Sequence, residues 1–268
     1  MNPEETRKIL HEALIKGGDL LLDHLGGTTR ATIKESISSV VTEADLASER
    51  AILEVLGDTP RPFNVITEET GYMNNHSEYT WVVDPLDGTS NFAARLPWFG
   101  VIIALFREET PILGGMYLPV DQYLYLTEAG KGATLNGKPI RATASKELAA
   151  NLVAYSFDFS DTPGKTESEM KILKSLSKKV RNIRSTNSLI DFCYTADGRL
   201  GAALNQTTKI WDIAVPWLMI REAGGMVTDI GGNEIRFDLS EEAVNLNYTI
   251  LASGAGLHEP LLEIIKVD

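Results

Sequence analysis

A single cysteine, Cys193, stands among 268 residues, which excludes an internal disulfide framework and a multi-cysteine zinc site. A reducing compartment is the simplest home for such a chain. Long apolar runs are missing too. The longest, Trp98 to Phe106 broken only by Gly100, is far shorter than the roughly 20 residues a membrane-spanning helix requires. The chain opens Met-Asn-Pro-Glu-Glu-Thr-Arg-Lys with no apolar stretch behind the charges. The expectation is therefore a cytoplasmic chain without a signal peptide or a membrane partner. Basic residues are in the minority, 25 Lys plus Arg against 37 Asp plus Glu, for a formal net charge of -12. A protein that tracks nucleic-acid phosphates needs a basic face, so nucleic acid is not an expected partner. The sequence also lacks a Gly-x4-Gly-Lys-Ser/Thr loop and a Gly-x-Ser-x-Gly elbow, which removes P-loop nucleotide hydrolases and serine hydrolases.

The rest of the composition is that of an ordinary globular chain, 43% hydrophobic and 23% charged. At this length about three quarters of the unfolded surface can be buried. Asn2-Pro3-Glu4-Glu5 reads as an N-cap, a proline at the first helical position and acids in the first turn. Ile9, Leu10, Ala13, Leu14, Leu20 and Leu21 then form one stripe, and Gly26-Gly27 stops the helix. A second helix is predicted over Ala44 to Leu56, with Leu46, Ile52, Leu53 and Leu56 inward. Short apolar runs at Phe63–Thr67, Tyr79–Asp84, Phe99–Phe106, Ile112–Leu118 and Tyr123–Thr127 read as strands. Beyond Ala142 a polar loop (Phe157 to Glu169) precedes alternating helices and short strands. The helices are predicted near Ser168–Lys178, over Leu189–Ala196, from Asp212 onward and near Leu257–Ile265. The strands are predicted at Val180–Arg184, Met226–Thr228 and Tyr248–Ala252. The reading is one unit over 1–268, with layered subdomains of about 1–143 and 144–268 meeting near Thr143.

The most informative segment is Trp81-Val82-Val83-Asp84-Pro85-Leu86-Asp87-Gly88-Thr89-Ser90-Asn91. An apolar strand delivers two aspartates around a proline-driven turn, and Gly-Thr-Ser offers a helix start. Carboxylates there are hard oxygen ligands for Mg²⁺, and a helix N-terminus seats phosphate. By itself the segment also reads as a Pro–Gly turn with solvated aspartates. Ile66-Thr67-Glu68-Glu69 repeats the arrangement of strand then acids, and alone it reads as a polar loop. Asp45 opens the second helix, where a first-turn acid is ordinary. Asp212 of Ile210-Trp211-Asp212 is a natural N-cap, with Pro216 expected in the first turn.

Order and completeness change the weighing. These segments resemble the inositol monophosphatase family, within the Mg²⁺-dependent, lithium-sensitive phosphatases that include fructose-1,6-bisphosphatase. The resemblance runs from about Lys34 to Gly225, and two strings carry it: Asp84-Pro85-Leu86-Asp87-Gly88-Thr89-Ser90-Asn91-Phe92, and Trp211-Asp212 to Glu222-Ala223-Gly224-Gly225. It implies an α+β fold, a layered αβαβα sandwich of the sugar-phosphatase type with two sheets and flanking helices, and a homodimer. It implies two to three Mg²⁺ ions held by Glu68, Asp84, Asp87, Asp212 and the Leu86 carbonyl, with Asp45 on a third, weaker ion. Asp45 and Thr89 would orient the attacking water, with Glu69 beside the water network. Gly88, Thr89 and Ser90 would meet the phosphate, and Lys34 matches a basic position near the third ion. Such a site hydrolyses a small phosphate monoester, inositol monophosphate first among them. Two ions about 4 Å apart can ready the water, neutralise the phosphate and help the leaving alkoxide. The acidic balance then makes sense, because carboxylates recruit cations and cations recruit phosphate.

The substrate side departs from the pattern. Gly201 and Asn205 stand where relatives usually carry an aspartate and a glutamate that meets substrate hydroxyls, and Ser39 and Thr67 replace a common aspartate and glycine. Alternatives of the same superfamily are a nucleotide 3′-phosphatase, a histidinol-phosphatase or a sugar-bisphosphate phosphatase; from another class, a non-catalytic regulatory protein of the same fold. Two other resemblances fail. Asp87-Gly88-Thr89 echoes the haloacid dehalogenase phosphatases, whose nucleophile would fall on Pro85. Cys193 and Arg199 have the spacing of thiol phosphatases, yet Cys193 sits in an apolar helical pattern and reads as a core thiol.

Overall fold

Asn2 accepts the Glu4 N–H at 3.1 Å and starts α1 (Pro3–His24), which buries Leu10, Ala13, Leu14 and Leu21 at helical spacing. The computed structural model describes residues 2–25, 32–33, 40–41, 43–58, 62–157 and 161–266. Gly26-Gly27, Lys34 and Ser39 lie outside them. Two short strands, β1 (Thr32–Ile33) and β2 (Val40–Val41), pair antiparallel ahead of α2 (Glu43–Gly57). On α2 the sequence reading is corrected: Leu46 is 45% exposed. The buried stripe instead runs through Asp45, Ser48, Glu49, Ile52 and Leu56. Leu46 is one residue, about 100° of helix, off that line, so α2 turns a polar patch inward where a leucine was expected.

The first sheet has eight strands: β3 (Asn64–Thr67), β4 (Gly71–Met73), β5 (Tyr79–Asp87), β6 (Gly100–Arg107), β7 (Thr110–Leu118), β8 (Tyr123–Glu128), β9 (Gly132–Leu135) and β10 (Lys138–Pro139). Their order is β10-β9-β8-β7-β6-β5-β3-β4. Only β3 and β5 run parallel; the other neighbours are antiparallel. β5 and β6 are buried almost along their whole length, as strands covered on both faces must be. A short helix, α3 (Thr89–Ala93), follows β5 directly.

The second sheet uses β11 (Leu152–Ser156), β12 (Asn182–Arg184), β13 (Ala202–Thr208), β14 (Gly225–Thr228) and β15 (Tyr248–Gly254), in the order β12-β11-β13-β15-β14. The helices are α4 (Lys165–Ser177), α5 (Ile190–Ala196), α6 (Ile210–Glu222) and α7 (His258–Ile265). β11 and β13 are additions to the sequence reading. α6 is a correction: it begins at Ile210 with Lys209 as its cap, so Asp212 lies inside the first turn and Pro216 in the interior of the helix.

Three apolar cores stack these elements into five layers. One face of the first sheet packs Val65, Trp81, Val83 and Ile103 against α1 and α2. Its other face joins α5 and α6 to Ala154, Ala203 and Ala252 of the second sheet. The far face of the second sheet meets Ile172 and Leu176 of α4 and Leu261 and Leu262 of α7. The order is helix, sheet, helix, sheet, helix. Among the described residues no helix is long and apolar enough to cross a membrane.

Candidate functional site

The ladder between β5 and β6 shifts register between Asp84, opposite Ile102, and Asp87, opposite Gly100. In a regular strand, residues three apart face opposite sides of the sheet. The extra residue of a bulge reverses that alternation, and Pro85, which has no N–H for the ladder, is at home there. Asp84 and Asp87 therefore turn toward one place. Ser48 of α2 clamps the bulge by donating to the Pro85 carbonyl at 2.8 Å, and the Leu86 N–H donates to Asp84 Oδ1 at 3.0 Å. Gly88 follows with φ 83°, and a Cβ there would sit 2.5 Å from the Trp98 carbonyl oxygen. Only glycine fits that corner.

Asp212 arrives from the first turn of α6, where its Oδ2 accepts the Lys209 N–H at 2.7 Å. Asp84, Asp87 and Asp212 each offer a carboxylate oxygen, and the three oxygens lie within 4.8 Å of one another. The Leu189 N–H, at the start of α5, donates to Asp87 Oδ1 at 2.5 Å. Thr89 stands beside them: its Oγ1 is 3.0 Å from the Leu86 carbonyl oxygen and 3.4 Å from Asp45 Oδ1.

Charge is concentrated here. Burial holds the Asp84 carboxyl well above the usual carboxylate range, helped by Glu68, then Asp87, Asp212 and Asp45. Burial also raises Asp87, with Asp212, Glu68 and Asp191 adding to it and the Leu189 N–H working against it. Neither Asp84 nor Asp87 forms an ion pair with Lys or Arg among the described residues. A buried like-charged cluster of this kind is relieved by a cation. Its donors are all oxygens, the chemistry of Mg²⁺ rather than of a soft metal. The residues present fit such an ion.

Of the residues singled out in the sequence, the structure gathers Asp45, Glu68, Asp84, Leu86, Asp87, Gly88, Thr89 and Asp212 around this point. Glu69 directs its backbone N–H to Glu49 Oε2 at 3.1 Å. Asn205 lies midway along β13, across from Ser156 and at the start of a register shift against β15, and its Oδ1 accepts the Thr207 N–H at 2.9 Å. Ser90, the second residue of α3, is exposed. Three contributors went unread: Ser48, Glu49 and Asp191. The first two were legible, because polar side chains at 45, 48 and 49 share the helical spacing of Ile52. Asp191 is 4% exposed and holds the Thr186–Ser188 loop, its Oδ2 accepting from Ser156 Oγ at 2.9 Å and the Thr186 N–H at 3.4 Å. Cys193 is buried 3.9 Å from Met116 Sδ, and burial pushes its thiol up; it is a core residue.

A family model described as the inositol monophosphatase family matches residues 2–266. The chain belongs to the inositol monophosphatase family. This member is 34% identical over 260 residues to the inositol-1-monophosphatase of Caulobacter vibrioides, covering 95% of this chain and 98% of the relative. It is 35% identical over 203 residues to the Nus factor SuhB of Pasteurella multocida, covering 75% and 76%. Among solved structures, the extragenic suppressor protein suhB from Bartonella henselae matches with a TM-score of 0.88 at 28% identity, over 97% of this chain and 98% of that one. The layered α+β architecture of this inositol monophosphatase family member is that of its structural relatives.

Proposed function

We propose that this inositol monophosphatase family member is a Mg²⁺-dependent phosphomonoesterase acting on a small phosphate ester, inositol monophosphate first among the substrates to try. The observation that carries the reading is the meeting of Asp84, Asp87 and Asp212 within 4.8 Å at one end of β5. Glu68, Asp84, Asp87, Asp212 and the Leu86 carbonyl would hold the ions, with Asp45 beside them. Bound Mg²⁺ supplies charge neutralisation for the phosphate and an acidified water. The protein's own groups do the remainder. The Thr89 hydroxyl, braced between Leu86 and Asp45, orients the attacking water, and Asp45 draws off its proton with Glu69 nearby. The backbone N–H groups of the corner at Gly88, Thr89 and Ser90 seat the phosphate, which leaves the Thr89 side chain for the water. Asn205 stands on the leaving-group side. Lys34, outside the described residues, keeps its sequence-based assignment as a basic substrate contact.

Phosphate release from a panel of monoesters, with Mg²⁺ and with excess EDTA, tests the activity. Release unchanged by EDTA overturns the mechanism. Asn205→Glu should reorder the panel while leaving the Mg²⁺ dependence alone; an unchanged order removes Asn205 from the substrate side. One observation favours a second reading: the Pasteurella relative is named a Nus factor. On that reading the chain acts by binding another macromolecule, and no ester on the panel releases phosphate faster with the protein than without it.

A further inference from the structure

We propose that Glu49 is the positioning residue of the acidic turn at the end of β3, and that it sets the affinity of the site for Mg²⁺ through Thr67, Glu69 and Thr70. The proposal rests on the reading of Asp84, Asp87, Asp212 and Glu68 as ion ligands. Glu49 is 3% exposed, a degree of burial that glutamate reaches only with partners. Thr67 Oγ1 donates to its Oε2 at 2.8 Å, the Glu69 N–H donates to the same oxygen at 3.1 Å, and Thr70 Oγ1 donates to Oε1. All three donors are neutral, and hydrogen bonds to an ionised acceptor are the stronger kind.

The placement of these donors matters. Thr67 and Glu69 flank Glu68 on both sides. Strand alternation turns the Thr67 side chain toward α2 and sends that of Glu68 the other way, where it presses on Asp84 and Asp87. On the backbone, the Glu68 N–H reaches the Val83 carbonyl at 3.3 Å. Pairing with β5 thus fixes the turn on one side and Glu49 fixes it on the other. Glu49 lies one helical turn beyond Asp45, on the same face of α2, with Ser48 beside it clamping the Pro85 carbonyl. One rigid helix therefore registers Asp45, the β5 bulge and the Glu68 turn against one another. Partners that orient ligands in this way tune metal affinity by about 10–100-fold.

The chemistry also names the control. A carboxylate only accepts, which suits three donors. Glutamine keeps one acceptor oxygen for Thr67 and Glu69, and its NH₂ can face the Thr70 hydroxyl, which can turn to accept. Glu49→Gln should therefore keep the turn, and Glu49→Ala should release it. Thr70, exposed at the surface, gives a milder variant: Thr70→Val removes one donor without touching the interior.

The experiment is calorimetric titration of Mg²⁺ alone into the metal-free wild type, Glu49→Ala, Glu49→Gln and Thr70→Val proteins, each checked for a cooperative melt. The alanine variant should bind Mg²⁺ about 10–100-fold more weakly, the glutamine variant close to wild type, and the valine variant in between. The Mg²⁺ concentration for half-maximal phosphate release should rise in the same order, with KM for the ester at saturating Mg²⁺ unchanged. If the wild type takes up no Mg²⁺, the reading of the site falls and this proposal with it. If the wild type binds and folded Glu49→Ala binds equally well, only this proposal falls and Glu49 is a structural brace. Should the alanine variant not fold, unchanged Mg²⁺ affinity in Thr70→Val overturns the proposal.

Discussion

Thr89 carries one hydroxyl proton and two acceptors within reach, Leu86 O at 3.0 Å and Asp45 Oδ1 at 3.4 Å. A hydroxyl so placed has lone pairs to spare for a water, and on the proposed mechanism it contributes most when that water loses its proton. Thr89→Ala should therefore lower kcat by about 10²–10⁴-fold, the range of a lost acid–base contribution. KM should hardly move, as befits an interaction made mainly in the transition state. Thr89→Ser, which keeps the hydroxyl, should recover most of the rate. Steady-state kinetics at saturating Mg²⁺ decide it. A raised KM with normal kcat would reassign Thr89 to ground-state phosphate binding.

At the scale of the element, Asp212 has two separable jobs. Its carboxylate closes the first turn of α6 by accepting the Lys209 N–H, and it joins the acidic cluster. Asp212→Asn keeps an acceptor oxygen for the cap but loses the charge, so its metal-free melt should lie at or above wild type while its response to Mg²⁺ shrinks. Asp212→Ala loses both, and its metal-free stability should fall about 1 kcal/mol below that of Asp212→Asn, the usual worth of such a cap. Equal melts for the two variants in EDTA would deny the capping role. The two motif strings made the acids of β5 and α6 legible in advance, because short-range chemistry fixes them: a strand, a proline, a glycine corner. β11 and β13 were not legible. β13 reads Ala-Ala-Leu-Asn-Gln-Thr-Thr, with small and polar side chains, and it holds its place through pairing with β11 and β15 rather than through its own periodicity. Leu46 misled for a related reason. Apolar count alone made it a core residue, whereas the helix spends its inward face on Asp45, Ser48 and Glu49.

The whole molecule feels the site through its charge. The raised carboxyls of Asp84 and Asp87 bind protons in the native state that the unfolded chain has already released. Their contribution to metal-free stability is therefore most favourable below about 3.8 and is lost as pH rises through the raised values. Mg²⁺ favours the charged form, so the gap in melting temperature between Mg²⁺ and EDTA should widen as pH rises; a gap indifferent to pH would contradict this. Asp84→Asn should melt at or above wild type in EDTA and respond weakly to Mg²⁺, whereas in wild type a hundredfold excess over Kd adds about 2.7 kcal/mol. A variant that melts far below wild type and still responds fully to Mg²⁺ would make Asp84 a turn residue. The acids come from α2, the turn after β3, β5 and α6, and α6 is part of the slab between the two sheets. During synthesis the acids of β5 are made long before Asp212, so the three-oxygen cluster exists only once α6 has packed against the first sheet. An ion held by that cluster would therefore act as a latch on the folded chain rather than as a seed for its folding.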